Sequence, residues 1–230
     1  MFDRAGITAA IKGKCGAVVR GAWLEQCIAH IEAAGVAGVG PGLHLEAQAR
    51  LVYEQLLHSE IGESCYPTLG ADGAVGAGGA FLQVQEIADI GVSRHAMWEA
   101  AREAEDFRQR GVRPSYVPRG GDEGEGEGEG EGEGAGDDDE QAPRLPRGML
   151  KVVLTDGRAR VAAIELAPEP QLSVELPVGT KVVVAAGQPV LAPTGVVGLG
   201  AGAVRVLGGA PARYEQSTLR RRLEAALRGR

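Results

Sequence analysis

Among the residues able to carry chemistry, His44 and Glu46 come nearest to a known pattern. A His-x-Glu pair opens the motif in which a zinc-bound water attacks a nucleobase while the glutamate moves the proton. That motif needs a Pro-Cys-x-x-Cys further along to complete the zinc shell, and none follows. Cys15, Cys27 and Cys65 are widely spaced and form no Cys-x-x-Cys pair, a usage that fits a reducing compartment and neither a disulfide framework nor a zinc site. His30, His44, His58 and His95 lack metal-ligand spacing. Gly198, Gly200 and Gly202 alternate, but without a following Lys-Ser/Thr or helix they make no phosphate loop. No nucleophile, base and orienting group can be assembled. No catalytic residue, cofactor-binding residue or metal ligand is expected, and the chain is read as a non-enzyme.

With no catalytic set to position, the elements themselves carry the information. Trp23, Cys27 and Ile31, flanked by Leu24 and Ile28, follow a helical period over residues 22–34. The Gly/Pro run 35–42 ends that helix. A second is expected from about Leu43 to Ile61 on the stripe Leu45, Ala49, Val52, Tyr53, Leu56 and Leu57, and an earlier, weakly patterned one before Lys12. Tyr66 to Ala80 reads as a Gly/Ala linker. Leu82 and Val84 alternate with Gln83 and Gln85 as a first strand, and Ser93 can cap a helix reaching about Arg110. Leu150, Val152 and Leu154 alternate with Lys151, Val153 and Thr155, Asp156-Gly157 reads as a two-residue turn, and Arg158 to Ile164 returns. Short strands joined by Pro/Gly turns point to a small antiparallel barrel or sandwich.

The formal charge of −7 belongs to one segment. Residues 122–140 hold 11 acidic and no basic side chains, leaving 20 acidic against 24 basic, a net of +4, elsewhere. Gly120 to Ala142 alternates Glu with Gly and is expected to be disordered, because like charges repel and glycine resists ordering. The C-terminal stretch 214–230 reads as an amphipathic helix, with Leu219, Leu223 and Leu227 at four-residue steps around Arg220-Arg221-Arg222. No secretory signal or membrane span is expected, so the protein is read as soluble and intracellular.

The order of these pieces carries a resemblance. Thr155-Asp156-Gly157, Glu165, Pro177-Val178-Gly179-Thr180-Lys181 and Leu207-Gly208-Gly209 are similar to the oligonucleotide/oligosaccharide-binding (OB) domain of the RecQ-mediated genome instability protein 1 family. Trp23-Leu24-Glu25-Gln26-Cys27 and Val52-Tyr53-Glu54-Gln55-Leu56-Leu57 resemble its preceding helical segment, and Phe81 to Ile87 its first strand. The resemblance implies an α+β chain: a small N-terminal helical bundle (1–65), a linker (66–80), a five-stranded OB-fold barrel (81–212) with a long insertion between strands 1 and 2 (92–146), and a C-terminal basic helix (213–230). It also implies a non-catalytic nuclear scaffold. That scaffold binds a type IA topoisomerase (topoisomerase III) beside a RecQ-family helicase, with room for a second small OB-fold protein, in dissolving double Holliday junctions. In that family the long loop enters the topoisomerase gate. Met97, Trp98, Phe107, Tyr116, Val117 and Pro118 are the expected apolar anchors here, with closure of the barrel end the alternative for Trp98. Asp156 and Lys181 are expected either to touch the partner or to fix the barrel ends near it, with plain hairpin geometry the alternative for Asp156.

Two other readings stand beside this one. The tudor-domain-containing protein 3 module shares the helical segment, Thr-Asp-Gly and Leu-Gly-Gly, but has a short loop at this place and serves topoisomerase III beta. A single-strand-binding OB protein would need exposed aromatic side chains for base stacking. No Phe, Trp or Tyr lies between Tyr116 and Tyr214, so DNA contact is expected to be weak or indirect.

Overall fold

The computed structural model describes residues 2–34, 43–70, 73–109 and 144–229. Four helices come first: α1 (Arg4–Cys15), α2 (Gly21–Ala33), α3 (Leu45–His58) and the single turn α4 (Ile61–Ser64). Asp3 caps α1 by accepting the Gly6 amide. Ile7, Ile11, Leu24, Ile28, Ile31, Val52 and Leu56 turn inward at helical spacing and form one core with Phe2, Val19, Ile61 and Cys65.

The sheet follows as β1 (Ala80–Asp89), β2 (Leu150–Thr155), β3 (Arg160–Glu165), β4 (Lys181–Val184), β5 (Val190–Leu191), β6 (Val196–Leu199) and β7 (Val204–Gly208). Its order is β5-β6-β3-β2-β1-β4-β7. All pairs are antiparallel except β3 with β6. Leu82, Val84, Ile87, Leu150, Val152, Leu154, Val161, Val182, Val184, Val197, Leu199 and Val204 line one side and form the second core. Each such side chain contributes about 1.5–3 kcal/mol on leaving water.

The expected closed five-stranded barrel is therefore corrected: the sheet is mixed and seven-stranded, and no ladder joins its edge strands β5 and β7. Glycine explains the difference. Gly200 accepts the Ala203 amide across a turn in which Gly202 has φ +72°, cutting what would be one last strand into β6 beside β3 and β7 beside β4. The two fragments are five strand spacings apart in sheet order, about 24 Å if flat. The five residue steps from Leu199 to Val204 reach at most about 17 Å. The sheet must curl, and a covalent turn rather than hydrogen bonds brings its two ends toward each other.

The β2–β3 turn also differs from expectation. Thr155 pairs with Arg160, so the loop has four residues, Asp156 to Ala159, instead of two. Gly157 holds φ +91° and lies so close to α4 that a Cβ there would stand 2.3 Å from Gly62 Cα. Between β1 and β2, where the insertion was expected, α5 (Arg94–Gln109) starts at Ser93, whose hydroxyl accepts the Ala96 amide. A 3-10 turn (Ala212–Tyr214) and α6 (Leu219–Arg228), capped by Thr218, close the chain.

Candidate partner interface

The insertion leaves and re-enters the sheet through a narrow neck. Ile90 N–H donates to Met149 O at 2.8 Å, extending the β1–β2 ladder one residue past the strands. The Asp89 carboxylate then accepts two amides, Gly91 at 2.8 Å and Gly148 at 2.6 Å, one from each arm. Only glycine fits here: a Cβ on Gly148 would lie 2.9 Å from Gly91 Cα and 2.8 Å from Asp89 Oδ1. Arg147 anchors the returning arm, donating to buried Glu165 at 2.7 Å, while the other Glu165 oxygen accepts the Leu150 amide. Neither Asp89 nor the two glycines stood out in the sequence, because their partnership joins positions far apart along the chain.

Beyond the neck the first part of the insertion is fixed. Met97 and Phe107 are only 3% and 7% exposed, Ala101 and Ala104 are buried with them on the inner side of α5, and Met97 joins the sheet's core. α6 straps α5 in place. Arg220 pairs with Glu105 at 3.1 Å, and Arg222 donates to the Val174 carbonyl at 2.6 Å, its guanidinium pK lowered by burial. Leu219 and Leu223 pack on the same core. Trp98 is half-buried on α5, flanked by His95 (ring centroids 6.1 Å apart) and the Arg102 guanidinium (5.2 Å), with its indole nitrogen buried toward Glu224 of α6. Hydrogen bonding from Arg220 holds the Glu224 carboxyl below its usual range, and the Trp98 indole adds to the effect. Tyr116, Val117, Pro118 and the acidic tract lie outside the described residues.

Asp156 and Lys181 sit at the junction of helices and sheet, and both are buried. Asp156 accepts four backbone amides: Arg158 and Ala159 of its own turn, at 2.9 and 2.8 Å, and Thr68 and Leu69 of the segment before β1, at 3.1 and 2.9 Å. Burial raises its pKa, but the four N–H groups outweigh that and hold it below the ordinary carboxylate value. Lys181 is 0% exposed, its Nζ donating to Leu57 O in α3 and to Gly179 O, both at 3.0 Å. Burial lowers its pKa to about 8, against the attraction of Glu60. Glu60 itself accepts Gln83 Nε2 at 3.1 Å and pairs with Arg213 at 2.6 Å. These polar groups tie α3 and α4 to β1 and β4. A lone lysine in a strand reads as a surface residue, so its burial had no sequence signal.

Among the described residues no group of three or more His, Cys, Asp or Glu is placed to hold a metal ion. None of the described helices is long and apolar enough to cross a membrane.

Residues 15–64 match the family model described as RMI1, N-terminal helical domain. Residues 57–222 match the one described as RMI1, N-terminal OB-fold domain. A search of curated proteins finds no match to the chain.

Proposed function

The chain belongs to the RMI1 family, and on that premise we propose that it is a non-catalytic scaffold for a type IA topoisomerase, topoisomerase III. It acts in the nucleus beside a RecQ-family helicase, promoting decatenation and double Holliday junction dissolution in homologous recombination and genome maintenance. Residues 1–65 serve as the helical part, 66–80 as the link, 81–212 as the OB-type unit and 213–230 as the closing basic helix. A second small OB-fold protein is a candidate third partner.

The observation that supports this reading most is the insertion's mounting. A segment meant to work inside another protein's gate needs a fixed base, and the Asp89–Gly91–Gly148 neck with α5 and α6 supplies one. The working part of the loop is then the segment beyond Gln109, which carries Tyr116, Val117 and Pro118; apolar side chains on a loop fill pockets on a partner. Met97 and Phe107 hold the base, and Trp98 lies half-buried where α5 meets α6. DNA contact stays indirect, since strands β2 to β7 carry no aromatic residue for stacking.

The test compares the full chain with one in which residues 111–142 are replaced by a short Gly/Ser link, leaving α5 and its buried side chains intact. Capture of the organism's topoisomerase III by both chains, with decatenation stimulated only by the full one, is the expected result. Failure of the full chain to bind any type IA topoisomerase overturns the proposal.

A further inference from the structure

The side of the sheet that faces away from the core divides in two. Over β4, β7 and the first half of β1 it is covered by the helices, which bury Phe81, Gln83 and Lys181 and pack on Val183 and Leu207. Over the second half of β1, β2 and β3 it carries Glu86, Ala88 and Ile90, then Met149, Lys151 and Val153, then Arg160, Ala162, Ile164 and Leu166. The β1 register shift between Val84 and Glu86 is what turns these β1 positions outward. The ladders set them in rows, Glu86–Val153–Ala162 and Ala88–Lys151–Ile164. The same register carried past the strand ends puts Ile90, Met149 and Leu166 side by side.

Those last three are 53%, 43% and 52% exposed, and none of the outward aliphatic residues belongs to either core. An antiparallel sheet with one face in water alternates apolar with polar residues. Here the outward positions are mostly aliphatic too. Scattered exposed leucines need no explanation, whereas a contiguous patch marks an interaction site.

We propose that this face is a docking surface for a protein that presents an aliphatic strip flanked by carboxylates. Charge carries the second half of that description. Lys151 sits in the middle of the face and Arg160 at its edge, and neither forms an ion pair among the described residues, while Glu86 is the only outward acid. A nucleic acid does not fit, because the face has no aromatic side chain on which a base stacks. Position argues for the partner's identity. The Ile90–Met149–Leu166 row ends at the neck, so a protein that receives the insertion meets this face first. For that identity the inference rests on the topoisomerase reading above.

The experiment measures topoisomerase III binding to the full chain, to the double variant Met149→Glu/Leu166→Glu and to Lys151→Glu, each first checked for an unchanged thermal melt. Binding is expected to weaken at least about tenfold in the double variant and by about threefold in Lys151→Glu. Equal binding by the wild-type chain and the double variant overturns this inference while leaving the topoisomerase reading intact. A wild-type chain that fails to bind overturns both. A wild-type dimer in sedimentation that the double variant abolishes assigns the face to a second copy of this chain, and overturns the partner named here.

Discussion

The two halves of the outer sheet face share only strand β1 and are treated in opposite ways. Under the helices, Phe81, Gln83 and Lys181 are sealed from water, and the two polar groups among them are bonded to Glu60, Ile61, Leu57 and Gly179. Past the β1 register shift, Ile90, Met149 and Leu166 stand in solvent with no covering element among the described residues. A buried polar group without partners costs about 1–3 kcal/mol, so the covered half had to be built with complementary bonds. The bare half demanded none. The difference separates surface that the fold uses for itself from surface left for something else.

If the division is right, stability lives in the first half and binding in the second. Phe81→Ala should cost about 3–5 kcal/mol in urea unfolding, by removing the aromatic ring on which the helical core closes. A loss near zero would mean that the helices do not depend on the sheet.

Lys181 should be visible as a slope against pH. Burial holds its folded-state pKa at about 8 against an ordinary 10.5. The unfolded chain therefore binds that proton more tightly, and wild-type stability should rise between pH 8 and 10.5 by on the order of 3 kcal/mol from this group. Cys27 and Cys65, pushed up to about 11 by burial, act in the opposite sense over a similar range. The comparison with Lys181→Met cancels them. Identical pH profiles for the two chains would place the ammonium in water.

Asp156→Ala should cost about 2 kcal/mol at neutral pH, since it strips an acceptor from four amides. Its depressed pKa adds a signature: the contribution is complete above the ordinary carboxylate range and is lost as pH falls through the folded-state value. The difference between wild type and variant should thus shrink at low pH. On the bare half, Met149→Ser and Leu166→Thr should move stability by no more than about 0.5 kcal/mol. A larger loss from either would show that this half too is structural.

The sequence made the local elements legible and the long-range ones opaque. Helical spacing marked α2 and α3, strict alternation marked β2, and Ser93 marked the start of α5, because each is decided within one turn or one pleat. The division of the last strand into β6 and β7 depends on where glycines release the chain toward two different neighbours, which no local period records. Met97 and Phe107 read as free apolar residues on an insertion because nothing in their spacing tells whether a sheet or a partner receives them. The aliphatic outward positions of β2 and β3 were in plain view, yet only the register places Met149 between Ile90 and Leu166.

The neck has a consequence for how this protein can change. Two chain arms that enter side by side through touching glycines impose almost nothing on what hangs between them. Doubling the length of a flexible segment closed in this way adds only about 0.6 kcal/mol of entropy. Past Gln109, where α5 has already made its contacts with the sheet's core, the site behaves as a socket, and the attachment can be lengthened, shortened or recharged without disturbing the sheet. A protein engineer could graft there any folded module whose own ends lie close together.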